Sequence, residues 1–208
     1  MSQCIQKFIL RTACYPVLVH QYTDATKLKD FGPVIDDDVA RMLQVLITLV
    51  KPKKNLEIGT SGGFSTVSMA ESVRNYGQIT TIEFDAKVAE QALQNFEREM
   101  VAEQIEIRIG DAREFIPTLT EGYELIFQDV GDKELYSELF DECIRLLKPG
   151  GLLVAEDTLF PVILFSVLKW GKMREALAKF NRKVVDCSLL ESTLLPIGDG
   201  FTVEVKKE

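Results

Sequence analysis

The stretch NLEIGTSGGFS, residues 55–65, decides the fold of this 208-residue chain. A short apolar segment runs into a turn that holds Gly59, Gly62 and Gly63 among small hydroxyl side chains, and a helical pattern follows. A strand, a glycine turn and a helix in this order are typical of an α/β fold with a parallel sheet. The glycine spacing matches neither the dinucleotide-binding turn G-x-G-x-x-G nor the phosphate loop that ends in Gly-Lys. Neither of these two phosphate-binding motifs is therefore present.

From Lys53 onward, short β-type segments alternate with amphipathic helical segments, which indicates crossover units of a parallel sheet. The predicted strands are residues 54–59, 78–84, 105–110, 123–130, 151–157, 182–189 and 200–207. The predicted helices are residues 36–52, 65–75, 86–101, 112–119, 133–147 and 162–181. The connection between the last two strands is too short for a crossover helix. We therefore expect a doubly wound, mostly parallel seven-stranded sheet that ends in an antiparallel hairpin.

Length and composition favour one domain over the whole chain, residues 1–208. The sequence is 46% hydrophobic, which is enough to bury a sizeable core, and no linker-like segment interrupts it. The first fifty residues precede the alternating pattern and are predicted to form an N-terminal helical cap. Charged residues make up 27% of the chain and are spread along it, as on the surface of a folded protein.

Charge and cysteine usage limit the partners and the compartment. The formal net charge is −8 and the basic residues form no patch, so we expect no nucleic-acid partner. Lys7 and Arg11 interrupt the apolar start, which argues against a signal peptide and against a membrane span. With His20, the cysteines form no zinc pattern and are expected to be reduced thiols of a cytoplasmic protein; they are Cys4, Cys14, Cys143 and Cys187.

Acidic residues follow the second and third predicted strands. In a doubly wound sheet ligands bind at the carboxyl ends of the strands, so the glycine turn is expected to form the floor of a crevice there. Glu83 ends the second strand, where it can accept hydrogen bonds from two ribose hydroxyls, and Asp111 follows the third strand, where an adenine edge can be bound. These acids suggest that the crevice binds a nucleoside without phosphates, because no cationic group is present to balance a pyrophosphate. The alternative is a turn that only tightens the connection between strand and helix.

Five segments of the chain together resemble a known family. LEIGTSGGFS, TTIEFD, GDA, LKPGGLLVAED and LLPIGDGFTV resemble, in order, motifs of the S-adenosylmethionine-dependent, cation-dependent O-methyltransferases of the catechol and caffeoyl-CoA type. The resemblance covers about residues 33 to 206 and implies a Rossmann-like class I methyltransferase fold. It also implies a set of cofactor-binding residues: Glu57, Gly59, Thr60, Ser61, Gly63, Ser65, Glu83, Phe84, Asp111, Ala112 and Asp129. Glu57 and the turn would face the methionine part, Glu83 the ribose, and Asp111 with Ala112 the adenine.

The resemblance further implies a divalent cation. Family members carry D-A-x-K-x-x-Y after the fourth strand and Asp-Asn after the fifth, and here these segments are FQDVGDKELY and VAEDTLF. Asp129, Glu156 and Asp157 would be the ligands, and such oxygen ligands favour Mg²⁺, Mn²⁺ or Ca²⁺ over zinc. The chain departs from the pattern in two ways: one extra residue precedes Lys133, and Glu-Asp replaces Asp-Asn.

The activity that the resemblance implies is methyl transfer from S-adenosylmethionine to a hydroxyl of a small, aromatic, catechol-like acceptor. Asp129 and Lys133 would be catalytic, with Lys133 a general base if desolvation or the cation lowers its pKa. The enzyme is expected to be a homodimer without nucleic-acid or membrane partners. One alternative is a protein of the same fold that binds S-adenosylmethionine but has lost the metal site and either uses a different acceptor or performs no catalysis. A nicotinamide oxidoreductase and an N-methyltransferase are disfavoured because their motifs are absent.

The segment TLFPVILFSVLKWGKM, residues 158–173, follows the fifth predicted strand. Family members close the acceptor site with the loop at this position, so Phe160, Phe165 and Trp170 are candidates for an aromatic wall around a flat acceptor. The alternative is that the segment packs in the core or in a dimer interface, because an apolar helix is common in both.

Overall fold

A computed structural model describes residues 34–74, 76–120, 122–160 and 171–208. The strands are β1 Lys54–Ile58, β2 Gln78–Glu83, β3 Ile105–Ile109, β4 Tyr123–Gln128, β5 Leu147–Ala155, β6 Leu190–Leu195 and β7 Phe201–Lys206. The α-helices of the described residues are α1 Asp37–Val50, α2 Phe64–Val73, α3 Ala86–Arg98, α4 Ala112–Phe115, α5 Glu134–Leu146 and α6 Gly171–Asp186. Short 3-10 helices lie at Ala102–Gln104 and Ile116–Thr118.

The seven strands form one sheet in the order β3-β2-β1-β4-β5-β7-β6. The pairs among β1 to β5 are parallel, whereas β7 inserts between β5 and β6 and runs antiparallel to both. The predicted fold class, a mostly parallel doubly wound sheet with a closing antiparallel hairpin, is confirmed. Because β1 to β5 share one direction, their carboxyl ends meet at one edge of the sheet, on both sides of the point where the strand order reverses.

Each face of the sheet packs against its own set of helices. Successive residues of a strand point to opposite faces, so Ile126 packs with α4, α5 and α6 while Phe127 packs with α1, α2 and α3. On the first face, Phe180 meets Tyr136 and Phe140 edge to face, with ring centroids 5.4 and 6.0 Å apart. Among the described residues, no helix combines the length and the apolar character needed to cross a bilayer.

The sixth strand was predicted at the wrong place. Residues 182–189 were expected to be a strand, but α6 continues to Asp186 and β6 is Leu190–Leu195. Val184 is buried one turn after Phe180 and completes the apolar stripe by which α6 packs on the sheet. β6 lies at the edge of the sheet and is mostly exposed, so it lacks the alternation of apolar and polar residues that marks a half-buried strand.

Other boundaries differ less. β5 begins at Leu147, earlier than predicted, and the helix predicted over 112–119 is α4 followed by a 3-10 turn. Within the predicted N-terminal cap, α1 is described, whereas residues 1–33, with Cys4, Cys14 and His20, lie outside the described residues. Phe165 and Trp170 also lie outside them. The assignment of residues 1–208 to one domain stays a prediction.

Glu204 of β7 is a buried acid without a hydrogen-bond partner in the part of the chain that the structure describes. Its side chain is fully buried beside Cys143, and neither carboxylate oxygen is bonded. Its neighbour in register is Leu153, whose side chain belongs to the apolar core. Burial raises the pKa of Glu204 well above its usual value. The buried polar group therefore costs folding free energy that no observed contact returns.

Replacing Glu204 with Met, which has a similar volume, should increase the free energy of unfolding at pH 7.5 by about 1 to 3 kcal/mol, because an unsatisfied polar group leaves the core. Urea unfolding followed by circular dichroism measures the change. Glu191→Met on the exposed edge strand is the matched control and should change stability by less than about 0.5 kcal/mol. An unchanged or reduced stability of the Glu204 variant would contradict the argument.

Candidate functional site

A cavity of about 840 Å³ opens at the carboxyl ends of β1 to β5. Its wall includes residues that directly follow each of these strands, among them Gly59, Phe84, Gly110, Asp129 and Glu156. Ligand crevices of doubly wound sheets lie at this edge. The cavity is therefore the candidate site, at the position that the sequence predicts.

Most of the predicted site residues line this cavity, and four do not. The predicted residues in its wall are Gly59, Ser61, Glu83, Phe84, Asp111, Ala112, Asp129, Lys133, Glu156 and Asp157. The predicted residues outside the wall are Glu57, Thr60, Gly63 and Ser65. The second group forms or supports the glycine turn, so its members contribute to the shape of the site from beneath.

The glycine turn is shaped by close packing. At Gly59, φ is +99°, and a Cβ atom would lie 1.9 Å from the carbonyl oxygen of Asp129. At Gly63, φ is +85°, and a Cβ atom would lie 2.5 Å from the ring of Phe96. Both positions therefore require glycine, for conformation as well as for space. Asn95 of α3, which the sequence analysis missed, is buried and donates a hydrogen bond from Nδ2 to the carbonyl oxygen of Gly62 at 2.7 Å.

Glu57 lies beneath the turn and does not face the cavity, contrary to the expectation that it faces the methionine part of the cofactor. It is fully buried, and its carboxylate accepts hydrogen bonds from the hydroxyls of Ser65, Thr66 and Thr81. Burial raises the pKa of Glu57 to about 7, against the opposing effect of these three hydroxyls. The carboxyl group therefore ties β1, β2 and α2 together under the site.

Glu83 and Asp111 stand at the ends of neighbouring strands with fixed orientations. Glu83 accepts hydrogen bonds from the backbone N–H of Ser61 at 2.8 Å and from that of Asp85 at 3.0 Å. Asp111 caps α4 by accepting from the N–H of Arg113 at 2.8 Å. An ionised carboxylate has about four acceptor positions, so each retains capacity toward the cavity. Phe84 is 75% exposed at the rim and adds an apolar surface next to them.

Asp129, Glu156 and Asp157 form a carboxylate cluster on the other side of the cavity. One oxygen of each lies within 4.8 Å of one oxygen of each of the others. The ends of β4 and β5 are neighbours in the sheet, which brings the cluster together. Asp157 has a φ of +61°, a left-handed conformation that Asp and Asn adopt more readily than other side chains. This backbone requirement explains why Asp is accepted where the family pattern has Asn.

The cluster fits a divalent cation by its donors and by its charge. Three carboxylate oxygens at this separation are within reach of one ion at distances of about 2.0 to 2.6 Å. Burial raises the pKa of Asp129 to about 6, with a further contribution from Asp157 and an opposing one from Lys133. Burial, Asp129 and Asp157 raise the pKa of Glu156 well above its usual value. Lys133 relieves only part of the repulsion among these oxygen donors, and such donors suit Mg²⁺, Mn²⁺ or Ca²⁺.

Lys133 reaches the cluster in spite of the extra residue before it. Its Nζ lies 2.7 Å from Oδ2 of Asp157 and 3.9 Å from Oδ1 of Asp129, and the side chain is only 4% exposed. Burial disfavours its charge, but Tyr136, Asp157 and Asp129 outweigh burial and raise the pKa of Lys133 above its usual value. Burial therefore does not lower the pKa of Lys133 as the predicted base role requires. That the cation lowers this pKa stays a prediction.

Tyr136 is a site residue to which the sequence analysis gave no role. It is fully buried, its hydroxyl donates to the carbonyl oxygen of Glu156 at 3.0 Å, and it accepts from Nζ of Lys133 at 3.1 Å. The N–H of Val130 also points to it, at 3.3 Å. Tyr136 therefore joins the loop after β4 to the end of β5. The signal for it is present in the sequence, because the segment DKELY ends in the tyrosine of the family pattern D-A-x-K-x-x-Y.

Apolar side chains line the cavity next to the carboxylate cluster. Phe160 lines it, as expected for the aromatic wall, and so do Val34, Ile35 and Met173, which the sequence analysis did not single out. Asp199 stands at the same side, and burial together with Asp157 raises its pKa. These residues come from four separate parts of the chain, so no local pattern brings them together.

Comparison with known proteins agrees with this architecture. Residues 15–207 match the family described as O-methyltransferase. A catechol O-methyltransferase of Niastella koreensis is 36% identical over 182 residues, which cover 83% of this chain and 82% of the relative. Caffeoyl-CoA O-methyltransferase 5 of Nicotiana tabacum is 26% identical over 218 residues, 97% of this chain and 90% of the relative. The structure of an O-methyltransferase from Bacillus cereus in complex with SAH has a TM-score of 0.83 at 22% identity, with coverage of 98% and 97%.

The chain therefore belongs to the family of S-adenosylmethionine-dependent O-methyltransferases, and it is an enzyme of that class. The family covers nearly the whole sequence, which decides against the alternative of a nicotinamide oxidoreductase.

Glu57 should make stability depend on pH. Its folded pKa, about 7, is above its unfolded value of 4.5, so the folded state binds the proton more tightly. The contribution of Glu57 to the free energy of unfolding is fully present below pH 4.5 and is lost as the pH rises through 7. Glu57→Gln removes this titration, so between pH 5 and pH 8 the variant should gain up to about 3 kcal/mol relative to the wild type.

Urea unfolding of both proteins at several pH values measures this difference, and only its change with pH counts, because the variant also alters hydrogen bonds. Glu71→Gln, at an exposed position of α2, is the matched control and should run parallel to the wild type. Parallel curves for Glu57→Gln as well would show that Glu57 does not titrate in this range.

Proposed function

We propose that this enzyme transfers the methyl group of S-adenosylmethionine to a hydroxyl of a small aromatic acceptor, with the assistance of a divalent cation. The observation that carries the proposal is that one cavity holds both halves of such a site. Glu83, Asp111 and the glycine turn line one side, and the carboxylate cluster with Lys133 lines the other. A volume of about 840 Å³ accommodates a cofactor with a small acceptor beside it.

The first half of the cavity suits the nucleoside of the cofactor. Glu83 is held by backbone N–H groups and would accept hydrogen bonds from the ribose hydroxyls. Asp111 and Ala112 stand at the next strand end, where the adenine would lie, with Phe84 exposed at the rim. Gly59 and Ser61 line the cavity, where their backbone would contact the methionine part of the cofactor. This arrangement supports the predicted cofactor roles of these residues, except that Glu57 would act only through the turn.

The second half suits the acceptor. A divalent cation held by Asp129, Glu156 and Asp157 would bind neighbouring oxygens of the acceptor and lower the pKa of a hydroxyl. Mg²⁺ is our first choice, and Mn²⁺ or Ca²⁺ would fit the same oxygen donors. Phe160, Ile35 and Met173 supply the apolar surface against which a flat ring can lie.

Methyl transfer itself is an in-line displacement. The acceptor oxygen attacks the sulfonium methyl, the new O–C bond forms as the S–C bond breaks, and S-adenosylhomocysteine leaves with the electron pair. The oxygen is a far better nucleophile as an oxyanion, since a phenol has a reference pKa of about 10. Lys133 forms ion pairs with Asp157 and Asp129 at the edge of the cluster, so we propose that its ammonium stabilises the oxyanion while the proton passes to solvent. This differs from the base role suggested by the sequence.

The charge of the cavity wall limits which class of acceptor can bind. Eight of the described residues that line it are Asp or Glu and two are Lys or Arg, and both of these, Arg113 and Lys133, already form ion pairs in the described structure. A negative wall disfavours an acceptor that carries several phosphates. Among the two acceptor types named for the relatives, we therefore infer a small catechol rather than a CoA thioester. The homodimer, the cytoplasmic location and the lack of a nucleic-acid partner stay predictions.

Lys133 variants separate its two possible roles. Lys133→Met removes both the charge and the proton acceptor and should lower kcat about a hundredfold. Lys133→Arg keeps the charge but cannot lose its proton, so it should retain activity within about tenfold of the wild type. Steady-state kinetics with S-adenosylmethionine and catechol measure both. If the arginine variant is as inactive as the methionine variant, Lys133 is a general base.

Removal of the cation tests the proposed function as a whole. We expect the wild type to methylate catechol but not a dihydroxycinnamoyl-CoA thioester, to lose this activity in EDTA and to recover it with excess Mg²⁺. Mg²⁺ should also raise Tm, because it binds the folded state, and Asp157→Ala should abolish that rise.

Binding of S-adenosylhomocysteine, measured by titration calorimetry, is the control, because the cluster is expected to contact the acceptor and not the nucleoside. Its Kd should change less than about threefold in Asp157→Ala. Full activity in EDTA, without any effect of Mg²⁺ on Tm, would overturn the proposal that a divalent cation assists the reaction. Tight binding of S-adenosylhomocysteine without methylation of any catechol would favour the alternative of a protein that binds the cofactor without this activity.

A further inference from the structure

Arg113 contacts carboxylates from three parts of the chain. Its Nε lies 2.7 Å from Oε2 of Glu138 on α5, one terminal nitrogen lies 2.9 Å from Oδ2 of Asp132, and the other lies 3.5 Å from Oδ2 of Asp111. Asp111 belongs to the predicted adenine side, whereas Asp132 belongs to the loop that carries Asp129 and Lys133. The guanidinium group therefore bridges the cofactor side and the acceptor side of the cavity.

Asp132 belongs to the loop that is one residue longer than the family pattern, which has three rather than four positions from the aspartate to the lysine. Its Oδ1 accepts from the N–H of Glu134 at 3.2 Å and its carbonyl oxygen accepts from the N–H of Leu135 at 3.1 Å, so Asp132 binds the first two N–H groups of α5. Its other carboxylate oxygen faces Arg113. The next residue, Lys133, reaches Asp157 inside the cavity.

These ion pairs contribute little to folding because they are accessible to water: the side chains of Arg113 and Asp132 are 41% and 50% exposed. Their effect on the geometry of the loop is larger, because the ion pair with Arg113 holds Asp132. Asp132 directly precedes Lys133 and lies three positions after Asp129. Methyl transfer depends on near-attack alignment of oxygen, carbon and sulfur, and small displacements reduce its rate strongly.

We propose that Arg113 and Asp132 are positioning residues of the methyl transfer: their ion pair holds the loop of Asp129 and Lys133 against the cofactor side of the cavity. The proposal rests on the proposed function, because it concerns the rate of that reaction. The proposal gives a role to the one residue by which this loop is longer than the family pattern.

The test uses the full-length enzyme with saturating S-adenosylmethionine and catechol. Asp132→Asn keeps an oxygen for the N–H of Glu134 but loses the charge, and Arg113→Gln removes the guanidinium. Each should lower kcat about tenfold, and the double variant should be no slower than Arg113→Gln alone, because both substitutions remove the ion pair between Arg113 and Asp132. Arg113→Lys should recover part of the rate. For Asp132→Asn, KM for catechol and Kd for S-adenosylhomocysteine should stay within about twofold.

Asp141→Asn is the matched control, since Asp141 is another exposed aspartate, on α5, and pairs with a cationic side chain, Lys183, at 3.0 Å, away from the cavity. It should leave kcat unchanged. Amide hydrogen exchange of residues 129–135 measures the loop directly and should be faster in Asp132→Asn but not in Asp141→Asn. Wild-type kcat and exchange in Asp132→Asn, or rate losses that multiply to about a hundredfold in the double variant, would overturn the proposal. Absence of turnover in the wild type would overturn the proposed function instead, and the exchange result would still decide whether the ion pair holds the loop.

Discussion

The close approach of β1 and β4 at Gly59 is the constraint on which the site depends. A Cβ atom at this position would lie 1.9 Å from the carbonyl oxygen of Asp129, and φ is +99°, so only glycine allows the two strand ends to meet. As a result, the glycine turn lies directly beside Asp129, a member of the carboxylate cluster. The proposed cofactor side and the proposed acceptor side of the cavity therefore adjoin at this point.

The site concentrates acids that folding alone does not favour. Glu57 lies under the turn with a raised pKa, and Asp129 and Glu156 repel each other in the wall of the cavity. Lys133 and Tyr136 offset part of this repulsion by contact with the cluster and with the end of β5. The acids thus cost stability at the candidate site, and the proposed divalent cation would offset that cost.

Two departures from the family pattern become consistent with the geometry. Asp157 adopts the left-handed conformation that Asn would also accept, so the backbone of the cluster is retained while its charge increases. The extra residue after β4 does not move Lys133 out of the site, because Asp132 accepts a hydrogen bond from the first N–H of α5 and also pairs with Arg113. Family membership specifies the reaction class, whereas Asp157 and the longer loop after β4 are departures of this chain from the family pattern.

The sequence by itself determined the sheet class and the strand ends at which Glu83, Asp111 and Asp129 stand, because glycine turns and apolar segments are local signals. It did not determine the place of β6, whose exposed edge carries no alternation, or the position of Glu57 beneath the turn. Ion pairs such as Arg113 with Asp132 also required the tertiary structure, because they join residues from separate loops. Local pattern fixes backbone elements, whereas the partners and protonation of a buried side chain depend on contacts between distant parts of the chain.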